Sequence, residues 1–190
     1  ELLYPLDPIS ATCLTLAIQR YGQNERTLFS FLTAKGEDSF QEFQPTSNYT
    51  FNLANVYDYS IYHFYSFLSE ANADSMKWRA IRNSIERAES GVLQSSQIKP
   101  ALLIIKSIGL LNLFSSSNVS FTKDMLLIYA KHALGINNAE EIIKRLEVCK
   151  IIRFAAYKSQ YILFEGTDIN IEDALLSAAS SIPRTHASIS

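Results

Sequence analysis

Few side chains in this sequence have the types and spacing that catalysis requires. The three histidines, His63, His132 and His186, lie far apart, and none has a cysteine or carboxylate at the spacing of a metal site. A loop that cradles nucleotide phosphates needs glycines flanking a lysine and a serine or threonine, but the six glycines of this chain are scattered. We therefore expect neither a metal site nor a phosphate-binding loop within this sequence.

The serine and carboxylate side chains lead to the same expectation. Ser30 has no histidine and aspartate around it that would activate a nucleophile. Asp168, Glu172 and Asp173 are typical of the start of a helix, where carboxylates are favoured, and not of a general acid and base pair. By itself the chain is not expected to be an enzyme or to bind a cofactor.

The residue best placed for chemistry is Arg26, because its surroundings do not favour a positive charge. Gly22 is expected to end one helix in the left-handed conformation that glycine tolerates, and Asn24 to cap the next helix. Glu25 and Arg26 then lie in the first turn, where the helix dipole favours only the carboxylate. Such a cation either serves a partner or pairs with Glu25 or another nearby carboxylate. Four apolar residues are expected to bury this helix and to leave Arg26 at the rim: Leu28, Phe29, Phe31 and Leu32.

Two segments of the sequence resemble a known family. Residues 4–8 (YPLDP) and 23–32 (QNERTLFSFL) are similar to a region of large bacterial P-loop ATP-binding proteins. These are AAA+ or STAND-like ATPases, some of them encoded in phage-defence systems of the BREX kind. The resemblance extends through residues 56–59 and 161–168. Asp7 stands where this family more usually has histidine, so no role of that histidine transfers to this chain.

The resemblance implies that the chain is the C-terminal lid and winged-helix fragment of a larger ATPase. ATP and Mg²⁺ would then be bound by the full-length protein, with the upstream P-loop domain of the same polypeptide as partner, and DNA or other defence-system proteins as further partners. Arg26 would be a nucleotide-sensing arginine that reaches the γ-phosphate, oriented by Asn24 and Glu25. The chain begins with Glu1 and not with methionine, which agrees with a piece of something larger.

Composition indicates a folded protein, which we expect to be cytoplasmic. The 190 residues include 11 phenylalanines and 10 tyrosines, ample core material for one domain or two small ones. The net charge of −2 gives no general attraction to nucleic acid or anionic membranes. Cys13 and Cys149 lie in apolar helical patterns and are expected to be reduced core residues, with a disulfide as the alternative. No apolar run approaches the ~18 residues of a membrane span, and there is no signal peptide.

The periodicity of the apolar residues predicts a mainly α fold in two domains. A helical, lid-like domain over residues 1–114 is followed by a winged-helix domain over 115–182 and a flexible tail over 183–190. Helices are predicted in the first domain over residues 9–21, 24–33, 53–68 and 74–89, and a last one is opened by Ser96 or Gln97 and continues to residue 114. This last helix has Pro100 in its first turn and is apolar nearly all round over residues 98–114, which predicts a central core helix. It is expected to be too short to cross a membrane, and too often interrupted by Lys106, Ser107, Gly109 and Asn112.

The winged helix is predicted from the order of its elements, two helices followed by a β-hairpin. Thr122 is expected to cap the first helix, and Asn138 with Glu141 to form a capping box for the second. The predicted elements are helices over 122–134, 139–150 and 170–180 and strands over 151–157 and 161–165.

Whether this winged helix contacts DNA stays open from the sequence. Five basic residues are the candidates: Lys144, Arg145, Lys150, Arg153 and Lys158. Over residues 119–173, however, seven basic residues face eight acidic ones, whereas a surface that tracks phosphates usually has a basic excess. Two other functions are therefore alternatives to the ATPase fragment. One is a stand-alone winged-helix regulator that binds nucleic acid, and the other is an interaction scaffold that uses the aromatic helix over 53–68.

Overall fold

The computed structural model of this chain describes residues 3–22, 25–36, 39–64, 73–114 and 121–164. They form a mainly helical fold with a small antiparallel sheet of two strands. The helices are α1 (Pro8–Tyr21), α2 (Glu25–Thr33), α3 (Leu53–Phe64), α4 (Ser75–Arg87), α5 (Ser95–Phe114), α6 (Lys123–His132) and α7 (Ala139–Val148). The strands are β1 (Ile152–Ala155) and β2 (Gln160–Leu163), joined through a 3₁₀ turn (Ala156–Lys158). The last predicted helix and the tail lie outside the described residues.

Helix α5 is the centre of the fold. It packs against α1, α3 and α4, which precede it, and against α7 and β2, which follow it. Ile104, Ile105 and Leu110 of this helix are fully buried. The predicted central position of this helix is therefore confirmed, and one continuous core runs from α1 to β2. The domain boundary after residue 114 stays a prediction.

Helix α5 is also longer than the sequence predicted. It begins at Ser95, so Pro100 lies inside the helix and not in its first turn. With 20 residues it is, by length and composition, the one candidate for a membrane span in the described part of the chain, so the prediction that it is too short is wrong. Core helices of soluble proteins pass the same test, and half of its most apolar window is buried within the fold.

A buried polar cluster ties the start of α1 to α3 and α6. Asp7 caps α1 by accepting hydrogen bonds from the backbone N–H groups of Ile9 and Ser10 at 3.0 and 2.9 Å. The hydroxyl of Tyr129 donates to Asp7 Oδ2 at 2.9 Å and accepts from the Leu53 N–H at 2.9 Å. Burial, with the charge of Asp7, raises the pKa of Tyr129 well above its ordinary value. Asp7, the departure from the resembling family, is thus a helix cap and a partner of α6.

A second polar cluster ties the end of α1 to α4. Tyr21 donates to Asp74 Oδ2 at 2.7 Å and accepts from the indole N–H of Trp78 at 3.2 Å. Arg20 pairs with the same carboxylate oxygen at 3.0 Å and lies 5.2 Å from the ring centre of Phe114. Burial is the main cause that raises the pKa of Tyr21 to about 12. Both ends of α1 are therefore fixed by polar contacts to later helices.

After residue 120 the chain has two helices and a hairpin in the predicted order, with different bounds and caps. Thr122 caps α6 as predicted, since its hydroxyl accepts from the Met125 N–H at 3.4 Å. The predicted capping box is wrong, because Asn138 makes no side-chain capping bond and instead donates from its amide to Glu141 Oε2 at 3.5 Å. Both strands have four residues and are shorter than predicted.

Candidate functional site

Arg26 lies in the first turn of α2, as predicted, and it is exposed. Among the described residues, no hydrogen bond or ion pair of its guanidinium is found, so the alternative of a nearby carboxylate partner gains no support. Glu25 is exposed as well and makes no such contact with Arg26. Asn24, the predicted cap and orienting residue, lies outside the described residues.

Gly22 ends α1, but not in the predicted left-handed conformation. Its φ of −98° and ψ of −178° are extended backbone that any residue can adopt. A Cβ at this position would lie 2.8 Å from the carbonyl oxygen of Ile18 and 2.9 Å from the Thr27 hydroxyl. Glycine is needed here for space, because the start of α2 approaches the end of α1 closely. This contact sets where the first turn of α2, with Arg26, is held.

Helix α2 buries much less apolar surface than predicted. Phe31 is 1% exposed and belongs to the core. It packs against the rings of Phe40, Phe51 and Tyr59. Leu28, Phe29 and Leu32, which we call the α2 stripe, are instead 45%, 69% and 44% exposed. At 3.6 residues per turn these three side chains share one side of the helix, and Arg26 borders it one turn before Phe29.

An aromatic cleft lies beside this surface. It has a volume of about 440 Å³, and its walls include Phe31, Phe40, Tyr59, Tyr62 and His63. Tyr62 is 83% exposed, whereas His63 lies with its ring 4.2 Å from that of Tyr59, and partial burial lowers the pKa of His63. Helix α3, the aromatic helix of the sequence analysis, thus exposes aromatic side chains only near its end, within the described residues.

The five basic residues predicted for DNA contact are divided between two places. Lys144 and Arg145 are exposed on α7, and Lys150 is exposed in the turn after it. Arg145 donates to the carbonyl oxygen of Val92 at 3.2 Å, which ties α7 to the segment before α5. Arg153 and Lys158 belong to the hairpin.

Arg153 and Lys158 line a cleft together with Lys77 of α4. Lys77 was not among the residues predicted from the sequence. This basic cleft has a volume of about 230 Å³ and lies between α4, α5 and the hairpin. Asn112 and Gln160 also line it, and no carboxylate is found among its described lining residues. Lys77 precedes Arg153 by 76 positions (153 − 77), so no local spacing in the sequence reveals that these cations converge.

No family model, curated protein or solved structure matches this chain. Within the described residues, no group of three histidine, cysteine, aspartate or glutamate side chains could hold a metal ion. Cys13 and Cys149 are free thiols, and burial raises the pKa of Cys13 to about 12, which leaves that thiol unreactive near neutral pH. Two places remain as candidate sites: the α2 stripe with Arg26, and the basic cleft.

Proposed function

We propose that this chain is the non-catalytic lid and regulatory region of a larger ATP-binding P-loop protein. In this proposal α2 docks on the nucleotide-binding domain of the same polypeptide. The observation that carries it is the exposed α2 stripe, bordered by an exposed arginine that has no ion pair within the described residues. Docking would bury the stripe and direct Arg26 towards the γ-phosphate of ATP.

The physical chemistry of the α2 stripe supports a protein partner. Contiguous exposed apolar side chains mark interaction surfaces more often than isolated ones do. Burying the three side chains fully would contribute roughly 1–2 kcal/mol each, because Leu28 and Leu32 are 45% and 44% exposed and Phe29 is 69% exposed. This is too little for stable association by itself, but sufficient for a lid that opens and closes on a tethered domain.

The guanidinium of Arg26 has the properties that a nucleotide sensor needs. It is always charged and presents a planar fork that matches phosphate oxygens. At the rim of a closing interface, it would be desolvated only when the lid closes, which would strengthen its attraction to the transferring phosphoryl group. The first turn of α2 holds the backbone of this residue close to the end of α1 through the contact at Gly22.

We also infer that α1–α5 form the lid-like part and that α6, α7 and the hairpin form a winged-helix part. The order of two helices and a hairpin supports this inference. Because α5 packs against both parts, a movement of the lid would be transmitted to the hairpin. Nucleotide state would in this way be coupled to contact with another defence-system protein or with DNA.

The test is the Arg26→Ala variant of the full-length protein. ATP turnover should fall by about tenfold or more, because one electrostatic contact to the reacting phosphate is lost. The free energy of unfolding should change by less than ~0.5 kcal/mol, because the side chain is exposed. Arg26→Lys should recover only part of the turnover, since lysine keeps the charge and loses the fork.

The matched control is Arg82→Ala. Arg82 is an exposed arginine of α4 whose ion-pair distance to Glu86 is 3.9 Å. This variant should turn over ATP at the normal rate. Normal turnover in Arg26→Ala would refute the sensing role.

A further inference from the structure

We propose that the basic cleft binds a small phosphate dianion, either free phosphate or the head group of a phosphomonoester. This site is separate from the α2 surface and does not depend on the proposed ATPase. Three cationic side chains, from two parts of the chain, line one cleft: Lys77, Arg153 and Lys158.

The charge of the cleft is what a dianion requires. Arginine and lysine are the side chains that bind phosphate oxygens by charge-assisted hydrogen bonds. Lys77 lies 4.0 Å from Asp74 Oδ1, at the limit of an ion pair, and its side chain is 50% exposed. The Lys158 ammonium lies 5.4 Å from the ring centre of Tyr157, which also lines the cleft. Both lysines are therefore at the mouth, while Arg153 is half-buried.

Gln160 adds an uncharged polar group to the wall of the cleft. This residue is only 6% exposed and lines the cleft. No hydrogen bond of its carboxamide to another described residue is found, and the carboxamide is not among the fully buried unpaired groups of the described part of the chain. The amide N–H₂ can donate to a phosphate oxygen beside the three cations.

The walls of the cleft are held in place by the fold. Asn112 of α5 donates from its amide to the carbonyl oxygen of Tyr161 at 3.0 Å, which joins β2 to the central helix. Gly109 lines the cleft and brings α5 close to α4, where a Cβ would lie 2.5 Å from Ile81. The cations therefore converge on a preformed space, which reduces the entropic cost of binding.

The size and depth of the cleft favour a small ligand over a nucleic acid. Its volume of about 230 Å³ is below the ~300–1,000 Å³ that is usual for drug-sized ligands. A protein that follows a DNA backbone presents exposed cations along a surface, whereas Arg153 and Gln160 are withdrawn into the joint between hairpin and helices. Duplex DNA binding through these residues is thus a competing outcome of the test.

The test is a calorimetric or NMR titration of the whole 190-residue chain with three probes: inorganic phosphate, methyl phosphate and acetate. We expect the two phosphates to bind at the same residues and acetate to bind at least about tenfold more weakly. Tighter binding of methyl phosphate would assign the site to phosphomonoesters, and equal binding would assign it to free phosphate. Absence of phosphate binding, or phosphate binding no tighter than that of acetate, would overturn the proposal.

Three variants test the assignment of residues. Lys77→Met and Lys158→Met remove exposed charges from the mouth of the cleft and should each weaken phosphate binding severalfold. Lys99→Met is the control, because Lys99 is an exposed lysine of α5 outside the cleft, and this variant should bind phosphate normally. Gln160→Leu should weaken binding severalfold, because it removes an amide that can donate to a phosphate oxygen. Equal phosphate affinity in all variants would overturn the proposal. It would also be overturned if the unmodified chain bound duplex DNA but not phosphate, and the variants lost that DNA binding.

Discussion

The hydroxyl of Tyr129 is predicted to make a large contribution to the stability of the fold. Tyr129→Phe would remove the hydrogen bond to Asp7 Oδ2 at 2.9 Å and leave the buried Leu53 N–H without its acceptor, also at 2.9 Å. Ser10 Oγ, 3.1 Å from the same hydroxyl, would lose a contact as well. A lost hydrogen bond to a carboxylate and an unsatisfied buried N–H together cost about 2–4 kcal/mol.

Urea denaturation, followed by circular dichroism, measures this loss. With a slope of roughly 2 kcal/mol per molar urea, the midpoint of Tyr129→Phe should fall by about 1–2 M. Tyr62→Phe is the matched control, because Tyr62 is 83% exposed, and its midpoint should not move. A loss below ~0.5 kcal/mol in Tyr129→Phe would refute the cluster as the link between α1, α3 and α6.

Three further predictions concern packing and ionisation. Gly109→Ala should lower the free energy of unfolding, measured by denaturation, by about 1–3 kcal/mol, since its Cβ would lie 2.5 Å from Ile81 Cγ1. The double variant with Ile81→Ala should lose less stability than the sum of the two single variants, and strict additivity would contradict the close contact. Phe31→Ala should lower the free energy of unfolding by about 3–5 kcal/mol and Phe29→Ala by less than ~1 kcal/mol. The reason is that these two residues of α2 are 1% and 69% exposed. Equal losses in the two variants would show that α2 is oriented differently. Burial, with the charge of Asp7, raises the pKa of Cys13 to about 12 in the folded chain. As the pH rises, the unfolded chain therefore loses this proton first. The free energy of unfolding should fall above about pH 9, by at most ~1.4 kcal/mol per pH unit for this group. Cys13→Ala should flatten that fall between about pH 9 and 10, and an unchanged slope there would contradict the raised pKa.

Much of the helical order could be predicted from the sequence, because apolar periodicity and caps are local. The apolar run of α5 required a buried helix, and its central position follows from the lack of a polar face. Thr122 and Gly135 mark the ends of the α6 region through a cap and a φ of +68°. Bounds were less predictable, as the early start of α5 at Ser95 shows, since Pro100 suggested a later one.

The surfaces that carry the proposals could not be predicted in the same way. The apolar residues of α2 were expected to be buried together, but only Phe31 faces the core, and the sequence does not say which side of a short helix the rest of the fold covers. Asp7 and Tyr129 meet across 122 positions, and the basic cleft joins α4 to the hairpin. Such contacts depend on tertiary packing, and residue types alone do not show which distant residues will meet.

The coding sequence upstream of Glu1 tests most directly the claim that this chain serves a nucleotide-binding domain. The account predicts that the open reading frame continues upstream and encodes Gly-x-x-x-x-Gly-Lys followed by Ser or Thr, after a predicted strand. Arg26 would then have a γ-phosphate to reach. A natural start codon at or just before Glu1 would contradict the account, because no nucleotide-binding domain would be present in the polypeptide for Arg26 to serve.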